Sequence, residues 1–284
     1  MPDLSLTLYS DVTDFLKRAT PFLTRREAAS GLPLGFALMI ERNPHQFQDC
    51  LLLTLAQDGQ VIVAGVQIGV RPMVFEVDCA CVSAEIIPYL AQQLAQRRAA
   101  LGGIQTAKEN ARLFTQTWIN YTGQTVAKRM AQKVMRIEQV ITPQKVAGSL
   151  RQATYNDTPL VVDWANAFQL EALGEPADMQ AYAERAVHDG AVYLWIVDGE
   201  VVSMARWQRP LLHGVTISLV YTPPAQRGNG YASACVAALS QLMLDTGWQF
   251  CTLFTDAANP TSNKIYQQIG YKVIEEQAQI VFGA

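Results

Sequence analysis

Apolar positions recur along this chain with two periods, every second residue in short runs and every three or four in longer ones. In the second half, residues 149–154 alternate as a strand, and 157–172 and 179–188 carry apolar residues at helical spacing. The segment AVYLWIVDGEVVSMARWQRP predicts two strands around Asp198-Gly199, a strong two-residue hairpin signal, and HGVTISLVYT adds a third. Residues 231–247 predict an amphipathic helix ending at a glycine cap, and the apolar run 249–255 a strand reached by a parallel crossover. A short helix over 260–269, with proline in its first turn, stops at Gly270 before a last strand over 271–282. The predicted order is β-α-α-β-β-β-α-β-α-β.

The first half repeats that order faintly. A strand at 4–9 leads into helical stretches to about Arg42, then LLLTLAQDGQVIVAGVQIG forms a hairpin around Asp58-Gly59. A strand at 73–78, a helix at 84–99 ending near Ala99, a strand at 104–106, a helix at 108–121 and a strand at 126–140 complete the copy. Residue identity between the halves is slight, so the duplication rests on element order. Thr142-Pro143-Gln144-Lys145-Val146-Ala147-Gly148 breaks the apolar pattern as a linker. The expectation is a mixed-sheet α+β chain of two domains, 1–142 and 149–284, each of ordinary size.

Composition narrows the classes. Half of the 284 residues are hydrophobic and 17% are charged, enough to bury a substantial core. No run approaches the roughly 20 apolar residues of a membrane span, and acidic residues near the start do not fit a secretion signal. A soluble cytoplasmic protein is expected. A net charge of −3 gives no general field for nucleic acid, and the basic cluster between Lys128 and Arg136 is interleaved with apolar residues, as on a solvated face. Five cysteines, Cys50, Cys79, Cys81, Cys235 and Cys251, lack zinc-site spacing, and three histidines are scattered. Buried free thiols and no metal are expected.

The informative stretch is VYTPPAQRGNGYAS, running from Val220 to Ser233. A strand that enters a glycine turn and then a helix leaves several backbone N–H groups unpaired at the positive end of the helix dipole, where an anion binds. Gly228 and Gly230 permit close approach and unusual backbone angles. A plain strand-to-helix turn remains the alternative on these glycines alone. The dinucleotide fingerprint fails, because Ser233 stands where a third glycine is required and the preceding strand belongs to an antiparallel array. The triphosphate loop fails for want of a lysine after the glycines.

Arg227-Gly228-Asn229-Gly230-Tyr231-Ala232 has the form R-x-x-G-x-A directly after V-Y-T-P, and Asn259 to Tyr271 reads N-x-x-S-x-x-x-Y-x-x-x-G-Y. These two blocks resemble motif A and the downstream motif of the GNAT superfamily of acyl-CoA-dependent N-acetyltransferases, over residues of about 149–284. The resemblance implies tandem GNAT-like acyl-CoA N-acyltransferase folds with acetyl-CoA as cosubstrate. It implies that main-chain groups of Val220, Tyr221 and Thr222 line the pantetheine arm. Amides of Gly228, Asn229, Gly230, Tyr231, Ala232 and Ser233 would hold the pyrophosphate, with Arg227 bordering the turn. Asn259 would contact the cosubstrate and Tyr266 would stand near the thioester sulfur. Core packing for Tyr266 and helix capping for Asn259 are the ordinary alternatives.

Acetyl transfer to an amine needs a deprotonated amine, a stabilised oxyanion and a stabilised leaving thiolate. Tyr266, with an ordinary pKa of about 10, is the expected proton donor to the thiolate. The base is open among Asp256, Glu171, Glu175, His213 and ordered water, since Phe254 stands where some relatives carry glutamate. Arg206 and Trp207, near the end of the second hairpin strand, are within reach of the acceptor cleft, with a packed tryptophan the ordinary alternative for Trp207. The first half has no glycine in Val77-Asp78-Cys79-Ala80-Cys81-Val82-Ser83, so it is expected to be a degenerate copy without the cofactor motif, closing the acceptor site or packing as a pseudo-dimer partner. The expected activity is acetyl transfer to a primary amine, on a small molecule or a peptide, by a monomer or homodimer without nucleic-acid or membrane partners. Use of another acyl-CoA, or a non-catalytic acyl-CoA-sensing module, is the alternative.

Overall fold

The computed structural model describes residues 3–81, 83–97, 101–174 and 176–283; Val82, Ala99 and Glu175 lie outside them. Two compact units result: Met1–Val134 with Thr255–Ala258 and Val273–Ala284, and Met135–Phe254 with Asn259–Lys272. Compactness therefore does not follow the chain linearly.

In the first unit the chain forms β1 (Leu4–Tyr9), α1 (Val12–Leu23), α2 (Gly31–Arg42), β2 (Cys50–Gln57), β3 (Gln60–Ile68), β4 (Met73–Val77), α3 (Ser83–Arg97), β5 (Gly103–Ala107), α4 (Lys108–Thr122) and β6 (Thr125–Ile137), the last running into the second. The second continues with β7 (Ser149–Gln152), α5 (Thr158–Leu173), α6 (Gln180–His188), β8 (Val192–Val197), β9 (Glu200–Gln208), β10 (Gly214–Tyr221), α7 (Tyr231–Asp245), β11 (Phe250–Asp256) and α8 (Pro260–Gln268), before β12 (Lys272–Gly283). Both halves of the chain carry the predicted order of elements. Each Asp-Gly hairpin turn has both residues at positive φ, 48° and 77° at Asp58-Gly59 and 49° and 84° at Asp198-Gly199, the geometry that matches strand twist.

Strands of the first unit lie in the order β1-β2-β3-β4-β5-β12-β6. β12 pairs antiparallel with β5, from Gln277 opposite Ala107 to Val281 opposite Gly103. Its alternate residues Ile280 and Phe282 enter the core formed with Phe114 and Trp118, where the Trp118 and Phe282 rings stack at 6.0 Å. A Cβ on Gly103 would lie 2.3 Å from the Ile280 carbonyl oxygen, so this strand approach requires glycine.

In the second unit the order is β11-β10-β9-β8-β7, with β10 and β11 parallel and the other neighbours antiparallel. Val215 and Ile217 pack with Cys235, Val236 and Leu239 of α7 on one side. Val192, Leu194, Met204 and Leu219 pack with Val161 and Ala165 of α5 and Ala183 and Ala186 of α6 on the other.

Three expectations about composition resolve here. The basic cluster lies on β6, where Arg136 stacks on the Phe250 ring at 4.3 Å and pairs with Glu138 at 2.5 Å. Cys235 and Cys251 are buried, but Cys50 and Cys81 are half-buried and Cys79 is exposed, because Cys79 and Cys81 fall in the turn after β4 rather than in a core element. No helix among the described residues is long and apolar enough to cross a membrane.

A buried charge cluster marks the first unit. Arg26 donates to Glu76 of β4 at 2.9 Å and to Glu275 of β12 at 2.8 Å, and both carboxylates are nearly enclosed. Burial, then the neighbouring Glu275, pushes the Glu76 carboxyl up to about 8, against the pull of Arg26. A carboxyl raised above its unfolded pKa stabilises the fold fully below that unfolded value, and the contribution is lost as pH rises through about 8. Glu76→Gln removes the titration. Denaturant midpoints of the full chain are therefore expected to shift in favour of Glu76→Gln between pH 5 and pH 9, whereas a difference independent of pH contradicts the assignment.

Candidate active site

The pairing of β10 with β11 covers three residues, Gly214 opposite Phe250 to Thr216 opposite Thr252, although β10 continues to Tyr221. Beyond Thr216 the edge of β10 that faced β11 leaves the ladder. On its other edge β10 stays registered with β9, from Thr216 opposite Gln208 to Tyr221 opposite Met204, across a bulge between Ser218 and Tyr221. Leu219 makes the bulge in the left-handed region, at φ 49°. For a residue with a Cβ that conformation costs about 1–2 kcal/mol, and it is offset by burial of the Leu219 side chain against α5 and α6.

β9 holds the end of β10 in place. The buried Ser203 hydroxyl donates to the Tyr221 carbonyl at 3.1 Å and lies 2.9 Å from the Thr222 hydroxyl. Arg227 Nε donates to the Thr222 carbonyl at 2.9 Å, and its Nη2 donates to Glu171 at 2.6 Å. The Tyr221 hydroxyl also donates to Glu171, at 3.4 Å, and its ring packs 5.8 Å from Trp164. Thus the carbonyls of Tyr221 and Thr222 already accept protein hydrogen bonds. Sequence patterns gave no sign of Ser203 or Leu219.

After a 3-10 turn at Pro224–Gln226 the chain reaches Gly228 at φ 83° and Gly230 at φ 80°. Gly230 caps α7, and the first intrahelical donor is Ala234, whose N–H reaches the Gly230 carbonyl at 3.0 Å. The amides of Tyr231, Ala232 and Ser233 precede that bond, at the positive end of the helix, as do those of Gly228, Asn229 and Gly230. Asn229 folds back, its side-chain amide donating to the Gln226 carbonyl at 3.1 Å, and Arg227, Gly228 and Asn229 are exposed. A Cβ at Gly228 would meet nothing within 4 Å, while one at Gly230 would come 3.1 Å from Val146. The turn is open to solvent, and unpaired amides at a helix start are a geometry suited to an anion.

Asn259 caps α8, its side chain accepting from Ser262 N–H at 3.0 Å. That helix sets Tyr266 against the α7 core, its ring 6.1 Å from Tyr271 in an edge contact. Burial, then Cys235, pushes the Tyr266 hydroxyl up to about 12, so it stays protonated at neutral pH.

The base candidates separate. Glu171 is brought to Tyr221 and Arg227, already ion-paired. His213 precedes Gly214 at the far end of β10, roughly 25 Å along the strand from Tyr221 at about 3.3 Å per residue, so it does not belong to this site. Asp256 accepts from Ala258 N–H at 2.8 Å and groups with the first unit. Trp207 packs with the α7 core, whereas Arg206 stands opposite Ser218. In the first unit the turn after β4 is filled by Asp78, which accepts from Ala80 N–H at 2.9 Å and pairs with Arg25 at 3.1 Å. Among the described residues no three His, Cys, Asp or Glu side chains gather as a metal site.

Residues 193–280 match the family model described as FR47-like protein. A Drosophila protein of solved structure aligns with TM-score 0.68 and 15% identity, covering 97% of this chain and 98% of its own. A GCN5-related N-acetyltransferase from Sphaerobacter thermophilus aligns at 0.62 and 14%, covering 98% and 94%. A tandem GNAT protein from the clavulanic acid biosynthesis pathway aligns at 0.51 and 8%, covering 99% and 97%. No curated protein matches the sequence. The fold is thus that of the GNAT acyl-CoA N-acyltransferases, and the resemblance seen in the two motifs holds at the level of structure.

The Asn259 cap has a consequence independent of any ligand. Asn259→Ala is expected to lower stability by about 1 kcal/mol, and Asn259→Ser to restore most of it. Thermal unfolding of the ligand-free protein checks this; identical midpoints for all three proteins would leave Asn259 without a capping role.

Proposed function

We propose that the second unit binds acetyl-CoA and transfers its acetyl group to a primary amine by direct attack. The observation that carries this reading is the release of β10 from β11 after Thr216, followed beyond the end of β10 by a turn that presents amides at a helix start. A strand edge with free N–H groups suits a pantetheine arm and a developing oxyanion, and the helix start suits a pyrophosphate. The residues present fit the cosubstrate: amides of residues 228–233 hold its phosphates, and the main chain of Val220, Tyr221 and Thr222 lines its arm. With Tyr221 and Thr222 carbonyls tied to Ser203 and Arg227, the contacts left to this segment are mainly its N–H groups and the Val220 carbonyl. Asn259 supports the site through the α8 cap that positions Tyr266.

The role of Tyr266 changes with its environment. Full proton transfer from a phenol pushed up to about 12 to a less basic alkyl thiolate is uphill. Tyr266 instead donates a hydrogen bond to the departing sulfur, and solvent completes the protonation. Glu171, held by Arg227, is the carboxylate on the acceptor side and takes the amine proton directly or through water. The first unit, with Asp78 occupying its corresponding turn, is a degenerate copy that has lost the anion cradle.

Free CoA release from acetyl-CoA in the presence of an amine panel tests the activity. Turnover is expected in the wild type and a loss of about 10- to 100-fold in Tyr266→Phe, with little change in melting temperature. Equal turnover in the two proteins makes Tyr266 a packing residue, and CoA binding without turnover on any amine favours the sensing alternative.

A further inference from the structure

On the α5/α6 side of the second unit, Arg206 of β9 stands directly opposite Ser218 of β10 and beside Val192 of β8. Arg206 Nε and Nη1 and the Ser218 hydroxyl are shielded from solvent and have no hydrogen-bond partner among the described residues. The guanidinium lies over the Tyr182 ring, 4.4 Å from its centroid, and the Tyr182 hydroxyl donates to Gln208 at 3.2 Å. Stacking accounts for the face of the guanidinium. It does nothing for the N–H edge, because those donors lie in the guanidinium plane.

A buried donor left unpaired costs about 1–3 kcal/mol, more on a charged group. Three such atoms on facing residues of adjacent strands form a set of donors whose complement is a negatively charged group with acceptor oxygens. Their place decides what that group belongs to. Ser218 lies two residues beyond the last β10–β11 pair and three before Tyr221, so it flanks the segment assigned to the pantetheine arm. Tyr182, 37% exposed on α6, covers the guanidinium from outside and is the side chain that must move for a ligand to reach the N–H edge.

We propose that Arg206 and Ser218 hold the carboxylate of the acceptor, making the acceptor a small amino acid rather than a polyamine or a neutral amine. This rests on the acetyltransferase reading above. A polyamine would bring a second ammonium against the guanidinium, and a neutral amine would leave the three polar atoms unpaired.

Matched amines that differ by the carboxylate test it: glycine against methylamine, and phenylalanine against phenethylamine, with acetyl-CoA and thiol release as readout. The carboxylate-bearing member is expected to have the larger kcat/KM by at least about tenfold. Arg206→Met keeps an unbranched stem over Tyr182. It is expected to raise KM for the amino acid by about 10- to 100-fold, leave kcat and CoA affinity nearly unchanged, and erase the preference. Preference for the decarboxylated amine, or an unchanged KM in Arg206→Met, overturns the assignment. A second readout does not depend on turnover: in the CoA-bound protein the Arg206 Nε–H resonance should shift with N-acetylglycine and not with N-methylacetamide. A signal that stays still with N-acetylglycine also overturns it. Failure of CoA to bind would instead remove the acetyltransferase reading beneath it.

Discussion

A sheet strand is normally consumed on both edges, so a strand that offers main-chain donors to a ligand must be parted from a neighbour and still held. In the second unit β10 parts from β11 after Thr216, and Leu219 lies in the bulge against β9 that follows. The left-handed backbone of Leu219 accompanies the register shift of β10 against β9. The strain, of order 1–2 kcal/mol, is kept because the Leu219 side chain is sealed in the α5/α6 core and Ser203 fastens the Tyr221 carbonyl from the β9 side. The rest of the candidate site hangs from this parting. Arg227 braces Thr222, the glycine turn follows it, and α7 begins where an anion would be received.

The first unit shows what the same order of elements becomes without that glycine turn. Its turn after β4 carries Asp78, whose carboxylate takes the amide of Ala80 and pairs with Arg25, so the turn is tied by its own side chain. Stability there is drawn from the β12 strand and from Arg26 set between the nearly enclosed Glu76 and Glu275. Such a cluster makes the fold sensitive to pH, because ionising Glu76 adds a second buried negative charge beside Glu275.

Much of this was legible before any coordinates. Period-two and helical runs predicted the element order in both halves of the chain, and the Asp-Gly turns could be placed because only residues tolerant of positive φ suit them. The glycine turn, Asn259 and Tyr266 were visible through motif spacing. What stayed hidden depends on tertiary neighbours. Leu219 looks like any strand leucine, Ser203 like any strand serine, and nothing local tells that β12 would complete the core around Trp118. His213 appeared as a base candidate because sequence gives its chemistry but not its distance along β10. Arg206 and Trp207 are adjacent in sequence and diverge in space, one facing Ser218 and the other packing with the α7 core.

The central claim is that this protein receives an acyl-CoA at the released end of β10 and the start of α7. Backbone amide resonances followed while CoA is titrated into the full chain test it most directly. The account predicts shifts concentrated at residues 219–222 and 228–233, with those of the Asp78 turn unmoved. Shifts at the Asp78 turn with none at 228–233, or no shifts at saturating CoA, would contradict it.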